Sequence, residues 1–398
     1  MKLIYGKGST GQALVNFCEE NKIDYFLMDD NNFSLSILEK VDEIIVSPGV
    51  PFYADIYKLA RKRRIPIIGE IEFAYRYKKG KIIAITGTDG KSTTTKLVYD
   101  ILKNFNDNTF IGGNYGIPFI SFVNKLTENS ITVLELSSFQ IYSTKTFRPH
   151  IAVILNIDID HLNWHKKLKH YVCSKLRITK NQTFEDYLII NKNLKNLNFK
   201  TKAKIIEINT KETEILNLER IKLKGKHNLE NISVAIQISK IFNLKLEKVK
   251  EIIENFSPLE HRLEFLGTFN GVKIYNDAKS TTVQATRKAI EAIDGFIILI
   301  AGGIDKGGNF KDLRNSLNKK AKLVILIGKD KERIKKDINF KNTVFANTLE
   351  EALNIAIKYS EKEDTILFSP GCASFDMFKN YMDRGNQFKN LVNKLKAK

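Results

Sequence analysis

The chain has 398 residues, of which 43% are hydrophobic, and a formal net charge of +19. This length suits two or three domains, and no apolar run approaches the ~20 residues that a transmembrane helix needs. Three cysteines, odd in number and far apart, argue against a disulfide framework or a zinc knuckle. Because the lysines are scattered, the charge favours an anionic small substrate over nucleic acid. We therefore expect a cytoplasmic protein that binds neither nucleic acid nor membrane. We also expect a monomer, although composition and charge do not bear on oligomeric state.

Strands alternate with helices along most of the chain, which predicts an α/β fold with mainly parallel sheets. The predicted strands lie at residues 2–5, 25–28, 43–46, 81–85, 132–136, 151–156, 263–269, 272–276, 296–301, 323–327 and 365–368. We expect an irregular, antiparallel section at about 186–224 and helices at 165–180 and after His227. The expected domains are residues 1–79, 80–257 and 258–398.

A glycine-rich turn follows the first predicted strand. Residues 6–11 read Gly-Lys-Gly-Ser-Thr-Gly, which fits G-x-G-x-x-G, and Asp29 and Asp30 lie near the distance of a ribose-binding acid. An NAD-binding dehydrogenase is therefore one hypothesis, but such an enzyme does not need the Gly-Lys-Ser sequence found downstream. We interpret the turn as a site for the diphosphate of a nucleotide-linked substrate, and a purely structural turn is the alternative.

The most informative motif is Gly-Thr-Asp-Gly-Lys-Ser-Thr at residues 87–93, between a predicted strand and a predicted helix. Loop N–H groups and a helix N-terminus attract phosphate oxygens. Lys91 adds a positive charge, and Ser92 or Thr93 offers a hydroxyl to Mg²⁺. The loop is shorter than the usual P-loop, because Ile85 occupies the first glycine position. The motif predicts a nucleoside triphosphate site, and an ordinary β–α turn is the alternative.

Polar residues lie in or after the next two predicted strands. Glu135 lies within an apolar run, where a carboxylate is costly to bury unless it is paired or bound to metal. It is therefore a candidate Mg²⁺ ligand, with a solvent-exposed acid as the alternative. His161 follows the strand at 151–156 and could either ligate a metal or cap the next turn. Lys175 has no local feature that distinguishes it from a solvated helical lysine.

Three polar or glycine-rich segments end strands of the expected third domain, at 275–281, 301–308 and 369–376. Such loops at strand C-termini predict a binding cleft on one side of that domain. Asn228 and Asn231 open a predicted helix; Asn228 could cap it, or both amides could bind an adenine edge.

In this order, these clusters resemble the Mur ligase family, ATP-dependent amide-forming enzymes of peptidoglycan precursor synthesis. The resemblance covers essentially the whole chain and is most specific at residues 276–281 and 369–388. It is closest to the branch that adds D-glutamate to UDP-N-acetylmuramoyl-L-alanine, and the Asp-Asn-Pro-Arg signature of diaminopimelate- or lysine-adding relatives is absent. It implies a Rossmann-like UDP-binding domain, a central P-loop-type ATPase domain and a C-terminal Rossmann-like domain. A folylpolyglutamate-synthase-like ligase is the alternative.

The resemblance also implies roles for residues that match family motifs. The implied catalytic residues are Lys91, Glu135, His161 and Lys175, the last as a carbamate. Two Mg²⁺ ions are implied, on Ser92, Glu135, His161 and Lys175. The implied ATP contacts are Gly87, Thr88, Asp89, Gly90, Lys91, Ser92, Thr93, Asn231, Arg262 and Asp277. The amino-acid pocket is implied to contain Lys279, Thr281, Lys306, Ser374, Phe375 and Tyr381. The UDP-linked substrate is implied to contact Gly8, Ser9, Thr10, Ser47, Pro48, Gly49 and Asn114.

The chain departs from the family pattern at four places. Asp89 replaces the usual asparagine of the phosphate loop, and residues 162–165 read Leu-Asn-Trp-His where a more acidic and basic sequence is usual. Asp305 is displaced by one residue from the common form, and Asn31 stands where an arginine is expected near the uridine. The last two departures affect the expected glutamate and uridine contacts more than the reaction class.

Overall fold

The computed structural model describes residues 1–217, 219–223, 225–257, 259–305 and 307–396. Lys306, one of the expected amino-acid contacts, therefore lies outside the described residues. The first of two compact units comprises Met1–Ile157, Trp164–Leu216 and Glu230–Ile253. The second comprises Asp158–Asn163, Asn217–Leu229 and Glu254–Lys398. The expected division into three domains remains a prediction.

The first unit contains two parallel sheets. The first sheet has the order β2-β1-β3-β4, with strands β1 (Lys2–Tyr5), β2 (Tyr25–Met28), β3 (Glu43–Val46) and β4 (Ile67–Gly69). The second has the order β10-β9-β8-β5-β7-β6, with strands β5 (Lys81–Thr86), β6 (Thr109–Gly113), β7 (Ile131–Glu135), β8 (Ile151–Ile154), β9 (Tyr187–Asn191) and β10 (Lys204–Ile208). Strands β7 and β8 are buried along their whole length, as expected for a parallel sheet that is covered on both faces.

Helices up to residue 255 connect or follow these strands. They are α1 (Ser9–Glu20), α2 (Asp55–Arg63), α3 (Glu70–Tyr75), α4 (Lys91–Lys103), α5 (Ser138–Tyr142), α6 (Leu162–His165), α7 (Leu168–Leu176), α8 (Lys226–Ile241) and α9 (Leu246–Asn255). Short 3₁₀ helices occur at Leu35–Glu39, Phe119–Lys125, Arg177–Thr179, Lys192–Leu194 and Thr210–Ile215. One hydrophobic cluster contains residues beside both sheets, including Phe17, Phe73 and Leu134, so the two sheets share a core.

Two buried carboxylates of α3 accept hydrogen bonds from segments that connect strands of the second sheet. Glu70 accepts the backbone N–H of Ile120 at 2.7 Å. Glu72 accepts three backbone N–H groups, from Lys145, Thr146 and Phe147, at 2.8, 2.8 and 3.0 Å. Helix α3 is therefore held to the second sheet by buried hydrogen bonds as well as by apolar contacts.

The second unit contains the third sheet, in the order β11-β12-β16-β13-β14-β15. Its strands are β11 (Glu264–Phe269), β12 (Val272–Asn276), β13 (Ile297–Gly302), β14 (Ala321–Ile327), β15 (Thr343–Phe345) and β16 (Thr365–Phe368), and β11 alone pairs antiparallel. The helices are α10 (Val283–Ala292), α11 (Arg314–Lys320), α12 (Lys331–Ile338), α13 (Leu349–Tyr359) and α14 (Tyr381–Lys396), with a 3₁₀ helix at Phe310–Leu313. Alternate residues of β13 enter different hydrophobic clusters, which buries both sheet faces.

The α/β class with mainly parallel sheets is confirmed, but two local predictions are wrong. Residues 186–224 contain β9 and β10, which pair parallel rather than antiparallel. Residues 192–203 supply the long crossover that a parallel pair requires. The single helix expected at 165–180 is interrupted, because Lys166 adopts a left-handed φ of 62°. Of the helices in the described parts of the chain, none is long and apolar enough to cross a membrane.

Candidate functional site

The phosphate loop connects β5, which ends at Thr86, to α4, which begins at Lys91. Gly90 has a left-handed φ of 81°, and a Cβ on this residue would lie 2.6 Å from Oδ1 of Asn231. Glycine thus satisfies both the backbone conformation and the close approach of the asparagine. The structure therefore brings Asn231, one of the expected ATP contacts, against the loop. Ser92 and Thr93 are buried in the first turn of α4.

Asn156, which the sequence analysis did not single out, braces this loop. Its Oδ1 accepts the backbone N–H groups of Thr88 and Asp89 at 3.0 and 2.8 Å. Its Nδ2 donates to the carbonyl of Asp89 at 3.1 Å. The available signal was its position just after β8, at the edge of the sheet where the phosphate loop also lies. These hydrogen bonds fix the backbone conformation at Asp89 without involving its charged side chain.

Two lysines converge on the carbonyl of Gly87. Nζ of Lys91 donates to the carbonyls of Gly87 and Thr88 at 2.9 and 2.7 Å. Nζ of Lys175 donates to the same Gly87 carbonyl at 2.7 Å, and the residue is only 2% exposed. Lys175 is thus a buried group at the phosphate loop rather than a solvated helical lysine. The neighbouring Tyr171 is hydrogen-bonded through its hydroxyl to that of Thr88 at 2.9 Å.

Glu135 and Asn114 lie together because β6 and β7 pair in register. Oε1 of Glu135 accepts Nδ2 of Asn114 at 2.6 Å. Glu135 is 2% exposed, and its Oε2 is buried without a hydrogen-bond partner in the described structure. An unsatisfied buried carboxylate oxygen is costly, and a cation would satisfy it.

This environment fits Mg²⁺ that is held partly by a nucleotide. Within the described ranges, no three His, Cys, Asp or Glu side chains form a cluster able to hold a metal by themselves. Mg²⁺ is commonly bound by one or two carboxylates together with waters and substrate phosphates. Glu135 would supply one such carboxylate oxygen, at the sheet edge where the phosphate loop lies.

The expected UDP-binding loops are adjacent at the edge of the first sheet. Strands β1 and β3 pair directly, and Oγ of Ser47 donates to the carbonyl of Gly6 at 3.3 Å. Gly8 precedes the first turn of α1, whose N-terminal N–H groups favour anionic ligands. A Cβ on Gly11 would lie 1.9 Å from the carbonyl oxygen of Gly6, so this tight turn requires glycine. Residues 8–10 and 47–49 are therefore brought together.

In the second unit, the segment at Asp158 and Asp160 borders a pocket of about 230 Å³. Thr281 and Gly371, which follow β12 and β16, line the same pocket. His161 adopts a φ of 55°, and its backbone N–H donates to Oδ1 of Asp160 at 2.8 Å. The approach of His161 to the groups at the phosphate loop remains a prediction.

Arg262 lines a larger pocket of about 680 Å³, together with Asn228 and Tyr275. Nε of Arg262 is buried and has no hydrogen-bond partner among the residues described. Asp277 is fully buried near it and accepts the hydroxyl of Ser369 at 2.6 Å. Burial raises the pKa of Asp277 to about 6, against the opposing effects of its hydroxyl donors and the charge of Arg262.

The predicted cleft-forming loops of the third sheet do lie at one edge, because β12, β16 and β13 are neighbours. Arg384, which the sequence analysis did not single out, joins two of them: it donates to the carbonyls of Ala278 and Cys372 at 2.9 and 3.1 Å. Arg384 is 1% exposed, and burial lowers its pKa to about 10.

Two expected amino-acid contacts also meet at this edge. Nζ of Lys279 lies 5.3 Å from the centre of the Tyr381 ring. Ser374 is buried, whereas Phe375 is 73% exposed. Asp305, the displaced acid, accepts the N–H groups of Gly307 and Gly308 and pairs with Arg333. Asp305 thus shapes its own loop.

Comparison with known proteins identifies the family. Residues 85–239 match the Mur ligase middle domain and residues 261–372 match the Mur ligase, glutamate ligase domain. The chain is 44% identical to UDP-N-acetylmuramoylalanine–D-glutamate ligase of Aquifex aeolicus, with 98% of each chain covered. The protein of that name from Hydrogenobaculum is 41% identical, again with 98% of each chain covered.

A solved structure supports the same assignment at the level of the fold. The MurF ligase of Thermotoga maritima, crystallised in complex with ADP, superimposes with a TM-score of 0.66, at 16% identity, over 100% of this chain and 95% of that one. On the family matches and the near-complete coverage of its relatives, the chain belongs to the Mur ligase family.

Proposed function

We propose that this protein is an ATP-dependent ligase that joins D-glutamate to UDP-N-acetylmuramoyl-L-alanine in peptidoglycan precursor synthesis. The observation that carries the proposal is the 44% identity to a D-glutamate ligase over essentially both chains. The arrangement at the phosphate loop supports it: two lysines meet at Gly87, and Glu135 keeps one buried oxygen without a described partner.

In the first step, a carboxylate oxygen of the alanyl group attacks the γ-phosphorus of ATP. A new P–O bond forms, the bond to ADP breaks, and an acyl phosphate results. Catalysis of such transfers rests on positioning and charge stabilisation. Lys91 and the N-terminus of α4 supply positive potential to the phosphates. Asn156 fixes the backbone of the loop at Thr88 and Asp89.

The family resemblance implies ligands for two Mg²⁺ ions. It assigns Ser92 and Glu135 to one ion, and His161 and carbamylated Lys175 to the other. Bound Mg²⁺ supplies charge neutralisation at the phosphate oxygens. Carbamylation adds CO₂ to the neutral Lys175 amine, releases a proton and replaces a cation by an anion. The carbamylated residue would then exchange its donation to Gly87 for metal contact.

In the second step, the amine nitrogen of D-glutamate attacks the acyl carbon. The tetrahedral intermediate expels inorganic phosphate and leaves an amide, and the amine loses its proton to solvent or base. We assign Lys279 and Lys306 to the glutamate carboxylates as point charges. The remaining proposed pocket residues are Thr281, Ser374, Phe375 and Tyr381.

The proposal includes the organisation implied by the family. Residues 1–79 would bind the UDP moiety, residues 80–257 ATP, and residues 258–398 the amino acid. We propose a monomer that acts in the cytoplasm, where ATP and nucleotide-linked precursors are available. Light scattering during size-exclusion chromatography tests the monomer, and a concentration-independent mass near 45.6 kDa is expected.

Phosphate release from ATP tests the reaction directly. With UDP-N-acetylmuramoyl-L-alanine as acceptor, we expect release with D-glutamate but not with L-glutamate, lysine or diaminopimelate. Release with L-glutamate and a folate acceptor would instead support the folylpolyglutamate-synthase-like alternative. Nicotinamide binding without ATP hydrolysis would support the dehydrogenase.

A further inference from the structure

A cluster of four rings, which we name the aromatic cluster, includes Phe52, three residues after the Ser47–Gly49 loop of the first sheet. It comprises Phe52, Tyr142, Trp164 and His170. The ring centre of Phe52 lies 5.6 Å from that of Tyr142, 5.3 Å from that of Trp164 and 4.4 Å from that of His170. Phe52 is therefore the member that connects the first-sheet loop to side chains around the second sheet.

The chain between the loop and Phe52 is short and folded. The N–H of Val50 donates to the carbonyl of Ser47 at 3.0 Å, which closes a turn. The N–H of Ala54 donates to the carbonyl of Pro51 at 2.8 Å, immediately before α2 begins. Phe52 lies within the second turn, so two consecutive turns join its backbone to residues 47–49.

The other side of the aromatic cluster is anchored to the edge of the second sheet. Trp164 is 7% exposed and lies 4.8 Å from the ring centre of Phe139 in α5. The adjacent His165 is hydrogen-bonded through Nε2 to Oγ of Ser138 at 2.8 Å. Ser138 begins α5, just after β7. Phe52 thus contacts a ring whose position is set by that edge.

The burial of Trp164 is energetically unfavourable in one respect. Its indole N–H is buried and lacks a hydrogen-bond partner in the parts of the chain that the structure describes. Leaving such a donor unsatisfied is energetically costly. Phenylalanine would supply an apolar ring without that cost, so stability by itself does not favour tryptophan here.

We propose that Phe52 and Trp164 are positioning residues for the UDP-linked substrate: they hold the Ser47–Gly49 loop in its binding conformation against the second sheet. This inference rests on the proposed function, which assigns the loop to that substrate. An ordered loop binds more tightly because less conformational entropy is lost on association. The two residues act through the loop and touch no reacting atom.

The decisive comparison is Phe52→Leu with Tyr75→Leu. Tyr75, in α3, is also an aromatic residue that packs against another ring: its ring centre lies 5.4 Å from that of Phe147. Unlike Phe52, it is distant in sequence from residues 47–49. We expect Phe52→Leu to raise KM for the UDP-linked substrate about tenfold, equivalent to losing one or two ordered side chains. Its kcat and its KM values for ATP and D-glutamate should stay near those of the wild type. Tyr75→Leu should change none of them.

The chain's single tryptophan provides a second readout that does not depend on turnover. Titration of the wild type with UDP alone should change Trp164 emission saturably. In Phe52→Leu the same change should require about tenfold more UDP. Trp164→Phe, which retains an aromatic ring, should keep KM for the UDP-linked substrate closer to the wild type than Trp164→Ala does.

The inference is overturned if Phe52→Leu and Tyr75→Leu raise that KM equally, or if Phe52→Leu leaves both KM and the UDP titration unchanged. Failure of the proposed function gives a different result. Wild-type protein would then release no phosphate with the muramoyl substrate and D-glutamate and would show no saturable response to UDP, whereas failure of the inference alone leaves both wild-type results intact.

Discussion

At the scale of single residues, a functional candidate could be predicted from the sequence only where its burial was evident from neighbouring residues. Glu135 could be singled out because a carboxylate in an apolar strand is conspicuous, and it is buried with one oxygen lacking a described partner. Lys175 could not, because its burial depends on packing between α7 and the phosphate loop, which no local pattern encodes. Asn156 was missed for the same reason: its three hydrogen bonds reach residues distant in sequence. Only the family resemblance pointed to Lys175.

Lys91→Ala should abolish turnover and leave the fold intact. The side chain supplies charge that is most valuable as the phosphoryl group transfers, so we expect a loss of roughly 10²–10³ in kcat or more. Phosphate release measures activity, and thermal unfolding checks the fold. Lys103→Ala, at the other end of α4, is the control and should retain activity. A near-normal rate for Lys91→Ala would refute the ATP assignment.

Lys175→Ala should be inactive but partly rescued by a short carboxylic acid such as acetate. The added anion would replace the proposed carbamate in the space left by the truncated side chain. Rescue should not depend on bicarbonate, because no carbamate forms in the variant. Lys180→Ala, at an exposed position, is the control. Full activity of Lys175→Ala without any additive would show that the carbamate is not needed.

At the scale of elements, strands with strong apolar runs could be predicted from the sequence, but the pairing of β9 with β10 could not. The strand at 365–368 was predicted to the residue, because a short Ile- and Leu-rich run between polar loops has few alternatives. The parallel pairing of β9 and β10 was missed, since their crossover contains only a 3₁₀ helix rather than a helical pattern. The break between α6 and α7 arises from the left-handed Lys166, a conformation without a sequence signal at a lysine.

The attachment of α3 gives a pH-dependent prediction at this scale. Burial raises the pKa of Glu70 to about 7, although backbone N–H groups oppose the shift. The native state then binds more protons than the unfolded state between pH 4.5 and 7, so this group's contribution to stability falls as pH rises through that range. The loss is about 3 kcal/mol. Glu70→Gln should remove it, measured as a smaller difference in the free energy of unfolding between pH 5 and 8.

Glu72→Gln is the control of opposite sign. Although burial opposes ionisation, hydrogen bonds from Thr146 and three backbone N–H groups lower the pKa of Glu72. Ionised Glu72 therefore contributes stability that is present above pH 4.5 and is lost as pH falls below it. Glu72→Gln should be less stable than the wild type at pH 7, with the difference narrowing in acid. Identical pH profiles for the two variants would contradict both assignments.

At the scale of the whole molecule, composition and element order predicted the α/β class, whereas the grouping into compact units required coordinates. Residues 158–163 belong to the second unit although they follow β8 of the first. Chain order alone gave no reason to expect this. The net charge of +19 is also a property of the whole molecule, because the basic residues are distributed along the chain rather than concentrated in one motif.

This charge predicts salt-sensitive capture of the anionic substrates. We expect kcat/KM for the UDP-linked substrate to fall about fivefold between roughly 0.05 and 0.5 M NaCl, because the Debye length shortens to a few ångströms. The value for D-glutamate, which carries less charge, should fall less. Sucrose at matched viscosity controls for diffusion. Equal sensitivity of both substrates would indicate that the distributed charge plays no part in capture.

The two hydrogen bonds of Arg384 have a thermodynamic consequence for amino-acid recognition. They connect the loops after β12 and β16, so these loops are ordered when the chain folds. A ligand as small as an amino acid has few atoms with which to offset the ordering of two loops. With the loops already joined, its association should show a small heat-capacity change and little unfavourable conformational entropy in calorimetry. The conformational entropy of ordering these two loops is therefore lost when the chain folds rather than when the amino acid binds.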